Sequence, residues 1–260
     1  MSIMALHNKE LLNRLQVALP EGVIALMSWL QKQGYSRQLV SQYAKNGWLK
    51  NLGHGAYAKP GMPVNWQGIV IGLQELLNLQ CHVGGMSALN YQGLAHYLPL
   101  GGRENISLWG KKIPAWASKL DQPISLNRKA LFIEDPKKKL GLIKLKTNVR
   151  NWCIWASSPE RAIIEVFSTI KKNEEDFTAA AEMMEGLMTL RPQLLQNLLE
   201  ACQDIKAKRV FLYLAEYFNM PWMTKLKLDK ISVGAGKRQV VAGGRLDKKY
   251  QITIPKEFRP

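Results

Sequence analysis

The stretch from Ser36 to Lys59 constrains this chain more than any other. Ser36 is placed to cap a helix over Arg37 to Asn46, and Gly47 follows as the residue that lets such a helix end in a left-handed turn. Within it, Leu39, Val40, Tyr43 and Ala44 fall on one side, while Arg37, Gln38, Ser41, Gln42 and Lys45 fall on the other. Next, Trp48 to Leu52 and Ala56 to Lys59 flank Gly53-His54-Gly55, the pattern of two strands joined by a glycine turn. Upstream, Asn8 is expected to cap a helix running through Leu19 and stopped by Pro20. A second helix is expected after Gly22, carrying Ile24, Leu26, Met27 and Leu30 and closing at Gly34. Helices joined by a tight Gly34-Tyr35 turn and followed by a hairpin form a helix-turn-helix with a wing.

Pro60-Gly61-Met62-Pro63 punctuates the chain, and the pattern changes beyond it. An apolar helix is expected from Trp66 to Leu79, then a short one from Ser87, as its cap, through Leu94. Strands are expected at 105–109, 124–126, 130–133, 141–146 and 152–155, separated by Gly, Pro or charge. Helices return at Ser158-Pro159-Glu160 to about Ile170, then Glu174 to Leu190, Pro192 to Cys202 and Ala207 to Phe218. Strand-like Val240-Val241 and Tyr250 to Ile254 close the chain, the last expected to pair back onto the sheet. The expected class is α+β: a winged helix-turn-helix domain at 1–62, then a mixed α/β domain at 63–260. A subdivision of the latter into 63–150 and 151–260 stays open.

Charge points to the partner. Thirty-six Lys and Arg against 20 Asp and Glu leave +16, spread as +5 over residues 1–60, +7 over 61–150 and +4 over 151–260. Such an excess concentrates polyanions around a protein, which makes nucleic acid the leading ligand class. No apolar run approaches the roughly 20 residues a bilayer requires, and Met1-Ser2-Ile3-Met4 is followed by polar residues, not a signal core. Cys81, Cys153 and Cys202 are odd in number and widely spaced, which argues for a reducing compartment, the cytoplasm, and against a disulfide framework.

A recognition helix reads base edges with its exposed side chains, while flanking cations grip phosphate. Arg37 is suited to guanine, Gln38 or Gln42 to adenine, and Ser41 to a base or a phosphate. Ser36 at the opening of that helix is a further DNA-binding candidate, Lys45, Lys50 and Lys59 suit phosphates, and His54 at the wing tip suits a minor groove. Catalytic readings have less behind them. His7, His54, His82 and His96 do not cluster with cysteines or carboxylates at metal-ligand spacing. Gly234-Ala235-Gly236-Lys237-Arg238 lacks the phosphate-loop pattern, because Ile231 and Arg238 stand where glycine and Ser or Thr are required. Asp121 with Glu134-Asp135-Pro136-Lys137 resembles the Asp and Asp-x-Lys of metal-dependent nucleases. The alternative reading is therefore a nuclease or nucleotide-processing enzyme using Asp121, Asp135 and Lys137. A third is an interaction module whose basic face meets RNA or an acidic protein.

Motif order supplies a further pointer: Gly22-Val23-Ile24, Tyr35-Ser36-Arg37, Gly47-Trp48-Leu49 and Gly55-Ala56-Tyr57, then Ser87-Ala88-Leu89 with Gly93-Leu94. Ser157-Ser158-Pro159-Glu160-Arg161-Ala162 and Gly236-Lys237-Arg238 with Asp247-Lys248-Lys249-Tyr250 complete the series. In this order and spacing the chain resembles, over nearly its whole length, the AbiEi-family antitoxins of type IV toxin-antitoxin systems, which also regulate transcription. The resemblance implies a non-enzymatic protein without a cofactor, whose winged N-terminal domain binds double-stranded DNA at its own promoter, at a repeated or palindromic operator. It implies a C-terminal domain that opposes a nucleotidyltransferase-like toxin without requiring a stable complex. Arg37, Gln38, Ser41, Gln42 and Lys45 match the family's recognition helix, and Lys50 to Lys59 its wing. Gly244-Arg245-Leu246-Asp247 with Ile252 to Arg259 is also similar to the swapped-hairpin regulators of the AbrB type, but such a domain needs strands beyond Pro260.

Overall fold

The computed structural model describes residues 3–95, 105–120, 124–129, 131–133 and 139–258. They fall into two compact units, neither continuous in sequence. The first comprises 1–82, 108–128 and 144–155, and the second comprises 83–107, 129–143 and 156–260.

In the first unit α1 (Ile3–Ala18) leads to β1 (Ala25–Leu26), α2 (Met27–Lys32), α3 (Arg37–Lys45), β2 (Lys50–Gly53) and β3 (Ala56–Ala58). The three strands pair in the order β1-β3-β2, all antiparallel. This is a winged helix, closed by a core of Leu15, Leu19, Ile24, Leu30, Tyr35, Val40 and Tyr43. Burial of each such side chain contributes about 1.5–3 kcal/mol.

Two local expectations are corrected here. Asn8 lies inside α1, which begins at Ile3. Ile24 and Leu26 are not helical, because Leu26 has extended backbone (φ −96°, ψ 149°) and α2 begins only after it. The run Val23 to Leu26 is buried at every position, so it cannot serve a one-sided helix, and β1 pairs Ala25 with Tyr57 and Leu26 with Ala56. At the wing tip His54 (φ 51°) and Gly55 (φ 73°) take the two consecutive positive values of a tight hairpin turn that follows the strand twist.

Next comes α4 (Trp66–Ile71), which runs on as a wider π-turn, Gly72–Leu76. It approaches the winged segment so closely that a Cβ on Gly68 would stand 1.7 Å from the Gly22 carbonyl oxygen. Buried Gln67 and Gln74 on this helix bind backbone: Gln67 Oε1 accepts from Asn148 N (3.0 Å), and Gln74 Oε1 from Trp155 N (2.8 Å).

A five-stranded sheet is built from β4 (His82–Val83), β5 (Ile106–Trp109), β6 (Ile124–Asn127), β7 (Leu142–Lys146) and β8 (Cys153–Ser157). Its order is β6-β5-β4-β8-β7, with β4 parallel to β8. The expected strand at 130–133 reduces to one isolated bridge, Phe132 to Cys202, and residue 130 lies outside the described residues. Strand β4 had no signal in the sequence.

The second unit is built on α5 (Gly85–Tyr91), α6 (Pro159–Thr169), α7 (Glu174–Glu185), α8 (Pro192–Ala201) and α9 (Ile205–Tyr217). Gly84, not Ser87, holds the cap position of α5. Ser87 sits a turn further in, where its hydroxyl donates to the Asn105 carbonyl (3.2 Å) and accepts from Ser107 N (2.9 Å). Asp204 caps α9 by accepting from Ala207 N at 3.1 Å. The tail forms a separate three-stranded sheet in the order β10-β11-β9, from β9 (Arg238–Gln239), β10 (Arg245–Asp247) and β11 (Ile252–Ile254). The last strand therefore pairs with its own neighbours, not with the five-stranded sheet as expected. Val240 and Val241 follow β9 and are wholly buried, their N–H groups held by Thr253 Oγ1 at 2.9 and 3.1 Å. Among the described residues no helix is long and apolar enough to cross a membrane.

Candidate nucleic-acid interface

Helix α3 is positioned by its own ends. Ser36 Oγ accepts from Leu39 N (3.2 Å), which fixes the first turn, so its hydroxyl oxygen serves the helix itself. The last turn closes through Gly47, whose N–H donates to the Ala44 carbonyl at 3.2 Å. Val40 and Tyr43 are sunk in the core, and Leu39 and Ala44 are half-buried. Burial, with the neighbouring Tyr35, raises the Tyr43 phenol above its ordinary value, so it stays neutral and serves packing.

Opposite that buried side, Arg37, Gln38, Ser41, Gln42 and Lys45 are all exposed and together with Asn46 line one shallow depression. These five occupy the exposed face that the 3.6-residue period assigns them, opposite Val40 and Tyr43. Asn46 went unnoticed in the sequence, where it read only as the helix end. Its signal was available, because it stands four residues after Gln42 on the same face. Trp48 was assigned to a strand, but β2 begins at Lys50, and its indole is 41% exposed with its ring against Tyr43 at 5.5 Å.

On the wing, Lys50 and His54 are exposed, the latter at the turn. Lys59 is placed differently. Its Nζ donates to the Gln16 carbonyl at 2.9 Å, which draws the ammonium back over the end of α1. Charge follows the same division: the first unit bears 14 basic and 4 acidic side chains, a net +10 of the chain's +16.

Other sequence candidates resolve as scaffold or lie out of view. Asp121, Asp135 and Lys137 lie outside the described residues. Among the described residues no group of three His, Cys, Asp or Glu is arranged to hold a metal ion. Burial pushes the Cys81 thiol up to about 12 and is the main cause holding Cys202 at about 11, so both are poor nucleophiles at neutral pH.

The Ser157 to Ala162 motif is internal architecture. Glu165, fully buried, accepts from Gly85 N (2.8 Å), Ser157 Oγ (2.8 Å) and Arg161 Nε (2.9 Å). Arg161 also donates to the Leu140 carbonyl (2.8 Å) and lies over the Phe132 ring. Glu160 takes Arg191 through its backbone N–H (3.0 Å) and, bidentately, through its guanidinium (2.9 and 3.0 Å). Burial opposes ionisation of Glu160, but these Arg191 hydrogen bonds prevail and lower its carboxyl to about 2.

Two family models match the chain in succession. The family model described as the N-terminal domain of AbiEi antitoxin transcriptional regulators matches residues 8–100. The model described as AbiEi antitoxin, a transcriptional regulator of type IV toxin-antitoxin systems, matches residues 103–255. No curated protein matches the chain. Among solved structures, that of the RV2827C protein from Mycobacterium tuberculosis shares the fold, with a TM-score of 0.56 at 16% identity over 89% of this chain and 86% of that one. With the two family models spanning nearly its whole length around a winged helix, the chain belongs to the AbiEi antitoxins, transcriptional regulators of type IV toxin-antitoxin systems.

Proposed function

We propose that residues 1–62 form a sequence-reading DNA-binding module that represses the protein's own operon. The carrying observation is the outer face of α3, where Arg37, Gln38, Ser41, Gln42 and Lys45 all stand exposed around one depression while the opposite face is locked in the core. Side chains at that spacing on a capped helix reach base edges in a major groove. Lys50 grips phosphate beside them, and His54 enters the adjacent minor groove from the wing. Ser36 and Lys59 contribute by holding the module together, the first as the cap and the second as the tie to α1. Residues 63–260 supply the antitoxin activity, opposing a nucleotidyltransferase-like toxin without a stable complex. The setting is the cytoplasm, and the protein works as a binder, not an enzyme.

Fluorescence anisotropy against duplex DNA from upstream of the gene, beside a scrambled duplex over a salt series, tests the DNA reading. A preference for the native duplex that persists at physiological salt is expected. Equal and steeply salt-dependent affinity for both duplexes overturns it. Co-expression with the neighbouring gene tests the antitoxin reading, with rescue of growth by the full chain and not by residues 1–62 as the expected result.

A further inference from the structure

The turn between β7 and β8 carries an arginine in a backbone conformation that ordinarily belongs to glycine. Trp152 N donates to the Val149 carbonyl (3.2 Å), closing a four-residue turn whose second position, Arg150, has φ 49°. Gly or Asn normally takes a positive φ there, because a Cβ crowds the backbone. Neighbouring bonds hold the turn in place. Thr147 N and Thr147 Oγ1 both donate to the Trp152 carbonyl (2.9 Å each), Asn148 N donates to Gln67 Oε1 (3.0 Å), and Val149 is buried. Backbone of this kind persists only where its surroundings over-determine it, and it gathers at binding sites.

Arg150 lines a depression of about 420 Å³ together with Glu75, Lys144, Asn151, Trp152 and Cys153. That volume falls within the roughly 300–1,000 Å³ of small-molecule sites. Glu75 comes from the π-turn Gly72–Leu76, a second uncommon backbone feature that recurs at functional sites. Glu75, Lys144, Arg150 and Asn151 are exposed, and Trp152 is half-buried. The opposite charges do not neutralise one another: the side chains of Glu75 and Arg150 have no hydrogen-bond or ion-pair partner among the described residues. Lys144 Nζ lies over the Trp155 ring, 5.3 Å from its centroid, which steadies its ammonium beside the depression.

Each of these groups selects for a different part of a ligand. Two cations favour an anion of more than one charge, and an indole favours a flat aromatic ring. The Asn151 amide both donates and accepts, and the Glu75 carboxylate accepts from a hydroxyl or an amine. A carboxylate in the same depression also repels a continuous phosphate chain, which favours a small ligand whose charge is gathered at one end. We propose that this depression binds a free nucleoside triphosphate, its base against Trp152, its phosphates at Arg150 and Lys144, and a sugar hydroxyl donating to Glu75. The site uses none of the α3 or wing residues, so it stands apart from the DNA-binding reading.

The test is isothermal titration of the full chain with ATP, beside adenosine, inorganic tripolyphosphate and a single-stranded oligo(dA). One ATP per chain is expected, with adenosine and tripolyphosphate each at least about tenfold weaker, because each keeps only half of the recognition. Arg150→Gly suits the positive φ of the turn, so it should melt no lower than wild type while losing roughly tenfold in ATP affinity. Should it melt lower, Lys144→Gln, an exposed change on a strand, carries the same affinity readout. Trp152→Phe keeps a ring to stack on and should retain most of the affinity while removing the fall in indole emission that ATP causes. Tripolyphosphate bound as tightly as ATP, oligo(dA) bound more tightly than ATP, or ATP affinity unchanged in both cation variants overturns the proposal. Arg37→Ala with Gln42→Ala should leave ATP affinity at the wild-type value, so a failure of the α3 reading is seen only with duplex DNA and a failure of this one only with ATP.

Discussion

Helices α3 and α6 begin alike and end up in opposite employment. Each follows a serine, α3 over nine residues and α6 over eleven, and each has an arginine within its first three positions. In α3 the polar residues Arg37, Gln38, Ser41, Gln42 and Lys45 all face outward. In α6 Glu160, Arg161 and Glu165 are buried, and every one is consumed by an internal partner. The difference teaches how to separate a binding face from a scaffold. A charge already paired inside the fold has little left for a ligand, whereas an exposed face on a fixed helix retains its full donor set.

The largest effect should come from breaking the α6 side. Glu165→Ala leaves the Arg161 guanidinium buried without its carboxylate and orphans Gly85 N–H and Ser157 Oγ–H. Removing one member of such a buried pair costs about 3–5 kcal/mol. At about 2–4 °C per kcal/mol for a chain of this size, the thermal midpoint should fall by roughly 10 °C. A melt within a degree or two of wild type would mean the network is not what holds α6. Sequence preference for DNA should persist at temperatures where the variant is folded.

On the α3 side the expectation reverses. Arg37→Ala and Gln42→Ala should each cost about 1–3 kcal/mol in affinity for the native duplex. Stability should move by no more than about 0.5 kcal/mol, as for other exposed positions. Calorimetric melts beside anisotropy measure both, and a large stability loss with unchanged affinity would erase the contrast between the two helices.

Two smaller changes sharpen it. Ser36→Ala removes the oxygen that accepts from Leu39 N and should cost about 1 kcal/mol of stability, with a fall in DNA affinity following from the frayed first turn. Ser36→Asn, which can cap, should restore both, and a Ser36→Ala protein as stable as wild type would remove the cap from the account. The Glu160 and Arg191 pair titrates. Because the folded carboxyl sits near 2 instead of its ordinary 4.5, its stabilisation is complete above 4.5 and is lost as pH falls toward 2. The melting difference between wild type and Arg191→Met should therefore shrink across that window. A difference independent of pH would assign the effect to packing of the arginine stem.

Legibility in the sequence followed the range of the interactions involved. The cap at Ser36, the end at Gly47, the inward Val40 and Tyr43 and the outward Arg37, Gln38, Ser41, Gln42 and Lys45 were all readable within a dozen residues, because caps and helical period are local. Strand β1 was missed because its identity depends on Tyr57 and Ala56, about thirty positions away. Asn8 differs for a local reason, since α1 already begins at Ile3. The tie of Lys59 to the Gln16 carbonyl spans 43 positions, so no local pattern announces it. The tail strands were legible as strands, but not which sheet they would join.

From the sequence alone come the α+β class, the winged order of elements, the exposed polar side of α3 and the net charge of +16, since each follows from period, turn chemistry or summed charge. Only the tertiary structure decided that Arg161 and Glu165 are interior and that α4 meets the winged segment through Gly68. The physical reason is that whether a polar group faces water or a partner is fixed by desolvation and by the partner's position, and neither is encoded within one turn of the chain.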